Sequence, residues 1–253
     1  MVVIAVALAS CLICFSIVMA LSTRQIEKNH VEDTYEAVYT RITEEDVSTL
    51  KGLDDFSRVG EYYMLAVEPA EQGYNASYIY CDEETMYIAR DQMKLLEGRL
   101  PQKEDEVVVS RYFLSNYAAD AGIGEKVMLS SESFHGEYTV TGIMEGYKEK
   151  EVNGSSILLS KEALKGWSGY DPADYRAYVH FKNEQQMDET ELTARSREIA
   201  KEYQLEMPIM NLSYMKFYKQ PVNVSMLALV AGIAVLVIIG GYVAVSYTHL
   251  TLP

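Results

Sequence analysis

The run Leu96-Glu97-Gly98-Arg99-Leu100-Pro101, followed by Glu104-Asp105-Glu106-Val107-Val108-Val109-Ser110, decides how the middle of this chain is read. Gly98 offers a residue that tolerates positive φ, as the end of a helix requires. Pro101 lacks the N–H that a continuing helix needs. Arg99 is placed to cap the helix carbonyls or to pair with Glu104 or Glu106, a structural role rather than a binding one. Residues 106–109 hold three valines and read as a short strand. Ser110 is a suitable N-cap for a helix running to about residue 121.

Working outward, Thr43-Glu44-Glu45-Asp46 resembles a capping signal and opens a short helix reaching Leu50. Tyr and Val alternate well enough to predict strands at 35–41, 56–67 and 74–81, with a turn at 69–73. A helix is predicted over 82–96, ending at Gly98. Downstream, strands at 125–129 and 138–144 form a small barrel-like or hairpin unit. A strand at 155–159, a helical turn at 161–165, a strand at 175–181 and a helix over 187–203 complete the segment. Strands and helices mix without regular βαβ spacing, so the class is α+β.

Two apolar runs flank this segment. Residues 1–21 read MVVIAVALASCLICFSIVMAL and residues 224–244 read VSMLALVAGIAVLVIIGGYVA, neither with a charge. At ~1.5 Å per residue each reaches about 30 Å, the hydrocarbon thickness of a bilayer, and neither has the polar stripe of a soluble helix. Both are read as transmembrane helices. A cleavable signal peptide and a lipoprotein signal at Leu8-Ala9-Ser10-Cys11 are the alternatives for the first, and a buried core helix for the second. Gly232, Gly240 and Gly241 suit close packing against further helices. Residues 245–253, VSYTHLTLP, are identified as the translation of a sequencing-library adapter. The native residues are then expected to stop near Ala244, with a genuine polar tail as the alternative.

Charge and chemistry exclude several functions. The chain carries 22 Lys+Arg and 37 Asp+Glu, a net charge of −15, which is a poor basis for binding nucleic acid. No Walker loop occurs, so ATP hydrolysis is not expected of this chain itself. His30, His135 and His180 stand far apart without ligand spacing and are expected at the surface. Cys81, without a partner in its segment, is expected as a buried thiol. No catalytic, cofactor-binding or metal-ligating residue is singled out, and no cofactor is implied. Twenty Tyr against six Phe read either as a small core with wet edges or as a contact surface for a peptide, lipid or protein.

The motif of residues 96–110 resembles the "GR.P…dEvvls" segment in the extracytoplasmic domain of FtsX/MacB-like ABC transporter permeases. Gly122-Ile123-Gly124-Glu125-Lys126-Val127 and Tyr138-Thr139-Val140-Thr141-Gly142-Ile143 are similar to that family's following turn and strand. Tyr39-Thr40-Arg41-Ile42-Thr43-Glu44-Glu45-Asp46 resembles its strand-to-helix entry. The resemblance implies a MacB-like periplasmic core over residues 22–223, outside a bacterial cell membrane and part of a multi-pass protein. It further implies a permease subunit, not itself an enzyme, whose partner is an ABC-type ATPase subunit. A homodimer or paired permease and export of peptide, lipophilic or lipoprotein substrates belong to the same expectation. A membrane-anchored extracytoplasmic sensor or binding protein is the alternative from another class.

Resequencing the locus is expected to replace VSYTHLTLP by further apolar and then polar residues. The same nine codons followed by a stop would contradict the adapter reading.

Overall fold

The computed structural model describes residues 33–219 apart from 91, 147 and 148, together with 10–11, 14–15, 17–19, 21–23, 25–26, 31, 232–233, 235 and 238–242. The chain divides into two compact units, Asp33–Met215 on the one hand and Met1–Glu32 with Lys216–Pro253 on the other. In the second unit the described residues of the two apolar runs are helical. Most of the expected spans at 1–21 and 224–244, and all of the tail at 245–253, lie outside the described residues. Among the described residues no helix is long and apolar enough to cross a membrane.

The unit Asp33–Met215 is built on one mixed sheet. Its elements in chain order are β1 (Ala37–Ile42), α1 (Glu44–Lys51), β2 (Phe56–Pro69), β3 (Asn75–Cys81), α2 (Glu83–Ile88), β4 (Met93–Gly98), β5 (Glu106–Ser110) and α3 (Arg111–Tyr117). There follow β6 (Lys126–Ser130), β7 (His135–Gly146), α4 (Glu149–Val152), β8 (Gly154–Leu159), α5 (Lys161–Gly166), β9 (Tyr175–Phe181), α6 (Glu189–Glu202) and β10 (Ile209–Met210). The strand order is β10-β1-β9-β2-β3-β8-β5-β7-β4, with β6 also on β7. The β3–β8 and β5–β7 pairs are parallel and the others antiparallel.

Local chemistry accounts for most of these elements. Thr43 and Asp46 form a reciprocal capping box at α1, whose inner face presents Val47 and Leu50 to the core. Ser110 caps α3 through the Phe113 N–H at 3.0 Å. Every residue of β5 is buried, as expected of a strand with parallel and antiparallel neighbours and both faces covered. Near the other edge, Val38 joins Tyr62, Ile79 and Tyr178 in a cluster with Met86 and Ile88 of α2. Tyr39, which points to the opposite face, donates its hydroxyl to the Ser196 carbonyl of α6 at 2.9 Å. Helices therefore cover both faces of that half of the sheet.

The prediction of a helix over 82–96 is corrected. The helix stops at Ile88, and residues 93–98 are a strand paired with β7. Met-Lys-Leu-Leu-Glu are all good helix formers, so propensity pointed the wrong way. Pairing with β7, together with burial of Met93 in the core, overrides it. The helix predicted after Ser110 also ends early, at Tyr117 rather than near 121. Gly98 does take positive φ, +81°, but at a strand end. There it faces Gly142 of β7. A Cβ on Gly98 would lie 2.2 Å from the Thr141 carbonyl oxygen, and one on Gly142 would lie 2.8 Å from that of Arg99.

Both obstacles are backbone atoms, which cannot swing aside. Gly142→Ala is therefore expected to cost about 1–3 kcal/mol through forced separation of the β4–β7 pair. A thermal melt of the full chain in detergent reads this as a fall of several degrees. Gly122→Ala, where the nearest atom is 3.9 Å away at the end of a side chain, serves as the control and should change little.

Candidate functional site

The turn after β4 and the helix before it enclose a groove of about 400 Å³. Asp82 begins it. Its carboxylate accepts the Thr85 N–H at 2.9 Å and the Glu61 N–H at 2.9 Å, so α2 is both capped and tied to β2. Met86 then points inward, and Leu95 and Leu100 pack against the same core cluster. These three form an apolar floor. Around it stand Tyr87, Arg90, Lys94 and Arg99, with Glu83 as the one carboxylate of the lining.

Each rim group has a physical reason for its place. Tyr87 is 46% exposed, and two guanidinium groups lie over its ring, Arg58 at 4.2 Å and Arg90 at 5.4 Å from its centroid. Arg58 also donates to Glu84 at 2.7 Å. Arg99 is fixed more firmly. Its two terminal nitrogens donate to the two oxygens of Glu106, both at 2.8 Å, and its backbone N–H donates to Thr141 at 3.0 Å. Glu106 accepts the Gln102 N–H at 2.9 Å as well. The Arg99 guanidinium, helped by the Gln102 and Lys103 amides, holds the Glu106 carboxyl well below the usual range, at about 2. Of the partners open to Arg99 from the sequence, Glu106 is the one it takes.

Two other polar clusters are saturated. Lys161 reaches Glu61 at 2.6 Å and Glu44 at 2.7 Å, and Lys165 reaches Glu44 at 2.9 Å. Lys51 meets Asp82 at 2.9 Å. This network ties α1, β2 and α5 together. His180 corrects the expectation of a surface role: its side chain is buried with Nδ1 2.7 Å from fully buried Glu36, which also accepts the Phe181 N–H at 2.7 Å. Burial raises the Glu36 carboxyl above its ordinary range, against the pull of His180. Burial lowers the imidazole, but Glu36, with Glu184 and Asp33, together outweigh it and the net direction is up. His135 is exposed at the start of β7, whereas His30 and His249 lie outside the described residues.

Cys81 is a buried free thiol, its Sγ 3.9 Å from the Met93 sulfur, and burial pushes its pKa up. Several tyrosines serve the core, whereas Tyr87 is exposed on the groove rim. Tyr39, Tyr63, Tyr74, Tyr78 and Tyr175 are among the largest fully buried side chains. Among the described residues no group of three His, Cys, Asp or Glu is arranged to hold a metal ion. The groove has an apolar floor and cationic rim suited to holding an anionic or amphipathic group by contact and charge. Sequence reasoning missed it because the helix predicted over 82–96 would have left no turn between Ile88 and Met93, and so no groove.

The sequence model of the MacB-like periplasmic core domain matches residues 1–197. Solved structures similar to this chain include the extracellular domain of the noncanonic ABC-type transporter YknZ from Gram-positive bacteria. It is 16% identical with a TM-score of 0.49, over 70% of this chain and 100% of that one. The periplasmic region of MacB from Actinobacillus actinomycetemcomitans is 11% identical with a TM-score of 0.49, over 73% and 91%. A domain of a putative permease protein from Porphyromonas gingivalis is 15% identical with a TM-score of 0.48, over 77% and 96%. No curated protein matches the chain.

The pairing of Arg99 with Glu106 predicts a pH signature. A carboxyl held at about 2 when folded, against 4.5 ordinarily, stabilises the fold above pH 4.5 and loses that contribution as pH falls toward 2. Glu106→Gln should lower the melting temperature at neutral pH and flatten its decline between pH 4.5 and 2. Parallel declines in both proteins would show that the pair contributes nothing.

Proposed function

The chain belongs to the MacB-like periplasmic core domain family, and on that premise we propose that it is a permease subunit of a bacterial ABC transporter. In this reading residues 22–223 stand outside the cytoplasmic membrane, between transmembrane helices at 1–21 and 224–244 of a multi-pass protein.

One observation supports this most directly: the ends of the unit Asp33–Met215 lie side by side. Ala37 is in register with Met210. The Asn211 N–H donates to the Glu36 carbonyl at 2.8 Å, and its side-chain amide donates to that of Tyr35 at 2.9 Å. A domain suspended between two neighbouring helices needs its entry and exit together, and hydrogen bonds across them transmit a displacement of either strand into the sheet.

In this reading a separate ATPase subunit hydrolyses ATP in the cytoplasm, and the chain is not itself an enzyme. Dimerisation of that ATPase shifts the helices, and the outer domain follows as a body. A second permease, identical or paired, completes the membrane unit. Peptide, lipophilic or lipoprotein cargo is the substrate class.

Protease added to intact spheroplasts tests the orientation. Digestion of the segment 22–223 from outside is the expected result. Digestion only after the membrane is broken would place it in the cytoplasm and contradict the reading.

A further inference from the structure

The groove beside β4 runs along a sheet edge. β4 ends the strand order, and its outer side pairs with no strand among the described residues. An unpaired edge presents a row of N–H and C=O groups that another extended backbone can satisfy. We propose that this edge and groove bind an extended acidic peptide segment, which adds to the sheet as a strand on the outer side of β4.

Three features select that occupant. First, the groove floor of Met86, Leu95 and Leu100 is continuous with the core cluster, so alternate apolar side chains of an added strand have a place to bury. Second, the lining is cationic in a chain of net charge −15: Arg90 and Lys94 stand against Glu83, while Glu106 already neutralises Arg99. Lys94 is exposed and has no ion pair among the described residues. Third, Arg99 is pre-set. Its bidentate bond to Glu106 fixes the guanidinium at the end of the strand, so little side-chain freedom is lost when a ligand arrives. A lipid headgroup could meet the cations, but it has no regular row of donors and acceptors for a strand edge. The peptide is therefore the better match.

The inference concerns the groove alone and does not depend on the transport reading. The test uses the full chain in nanodiscs of neutral phosphatidylcholine and a fluorescein-labelled octapeptide of alternating Glu and Val, followed by fluorescence anisotropy. Saturable binding is expected. Lys94→Glu, with an unchanged melting temperature, should weaken it about tenfold. Lys182→Glu, six strands away, should not weaken it. A peptide N-methylated at alternate residues should lose binding, because it cannot complete the ladder, and so should one with Lys in place of Glu. Three results would each overturn the proposal: no saturable binding, equal binding of the N-methylated peptide, or Lys94-dependent binding of phosphatidylglycerol vesicles but not of the peptide. The protease orientation experiment is unaffected by any of these outcomes, so failure here leaves the permease reading to its own test.

Discussion

The backbones of β4 and β7 approach each other at Gly98 and Gly142, and that approach is possible because neither residue carries a Cβ. The consequences spread from there. The chain turns out of β4 at positive φ, Arg99 exchanges backbone and side-chain bonds with Thr141, and its guanidinium reaches Glu106 two strands across the sheet. Glu106 in turn gathers the amide of Gln102 and opens β5, the strand whose residues are all buried. A small side chain at either glycine would push apart the edge strand and the turn that the arginine holds.

The rest of the unit is organised around tyrosines and closed ion networks. Tyr39 and Tyr63 bury their rings and give their hydroxyls to backbone carbonyls of Ser196 and Asp171, so the apolar body and the polar tip are both satisfied. Lys161 stands between Glu44 and Glu61 and links elements far apart in sequence. Partial exposure of that lysine means that the network specifies geometry more than it adds stability. At the opposite edge the pairing of β1 with β10 brings the two ends of the unit together.

Much of this was legible in the residues. Thr43 and Ser110 announced their caps, the valines of 106–109 their strand, and Cys81 its burial. The failures have physical causes. Residues 93–96 have helical propensity but gain more from pairing with β7, a long-range partner that no local pattern reveals. β10 is two residues long, too short to show alternation. His180 looked like a surface residue because its partner Glu36 lies 144 positions away. The groove followed the same rule: its floor and rim come from α2, β4 and the turn after it, and it exists because the helix stops at Ile88.

Residues 93–98 form an edge strand and not the end of a helix. Hydrogen exchange of the full chain in detergent micelles, read residue by residue across this stretch, tests it most directly. Alternation is expected: amides facing β7 exchange slowly, while those on the open side exchange fast, with the pattern broken at the bulge between Leu95 and Glu97. Uniform protection along the stretch, as helical bonding from each amide to the fourth residue before it would give, would contradict it.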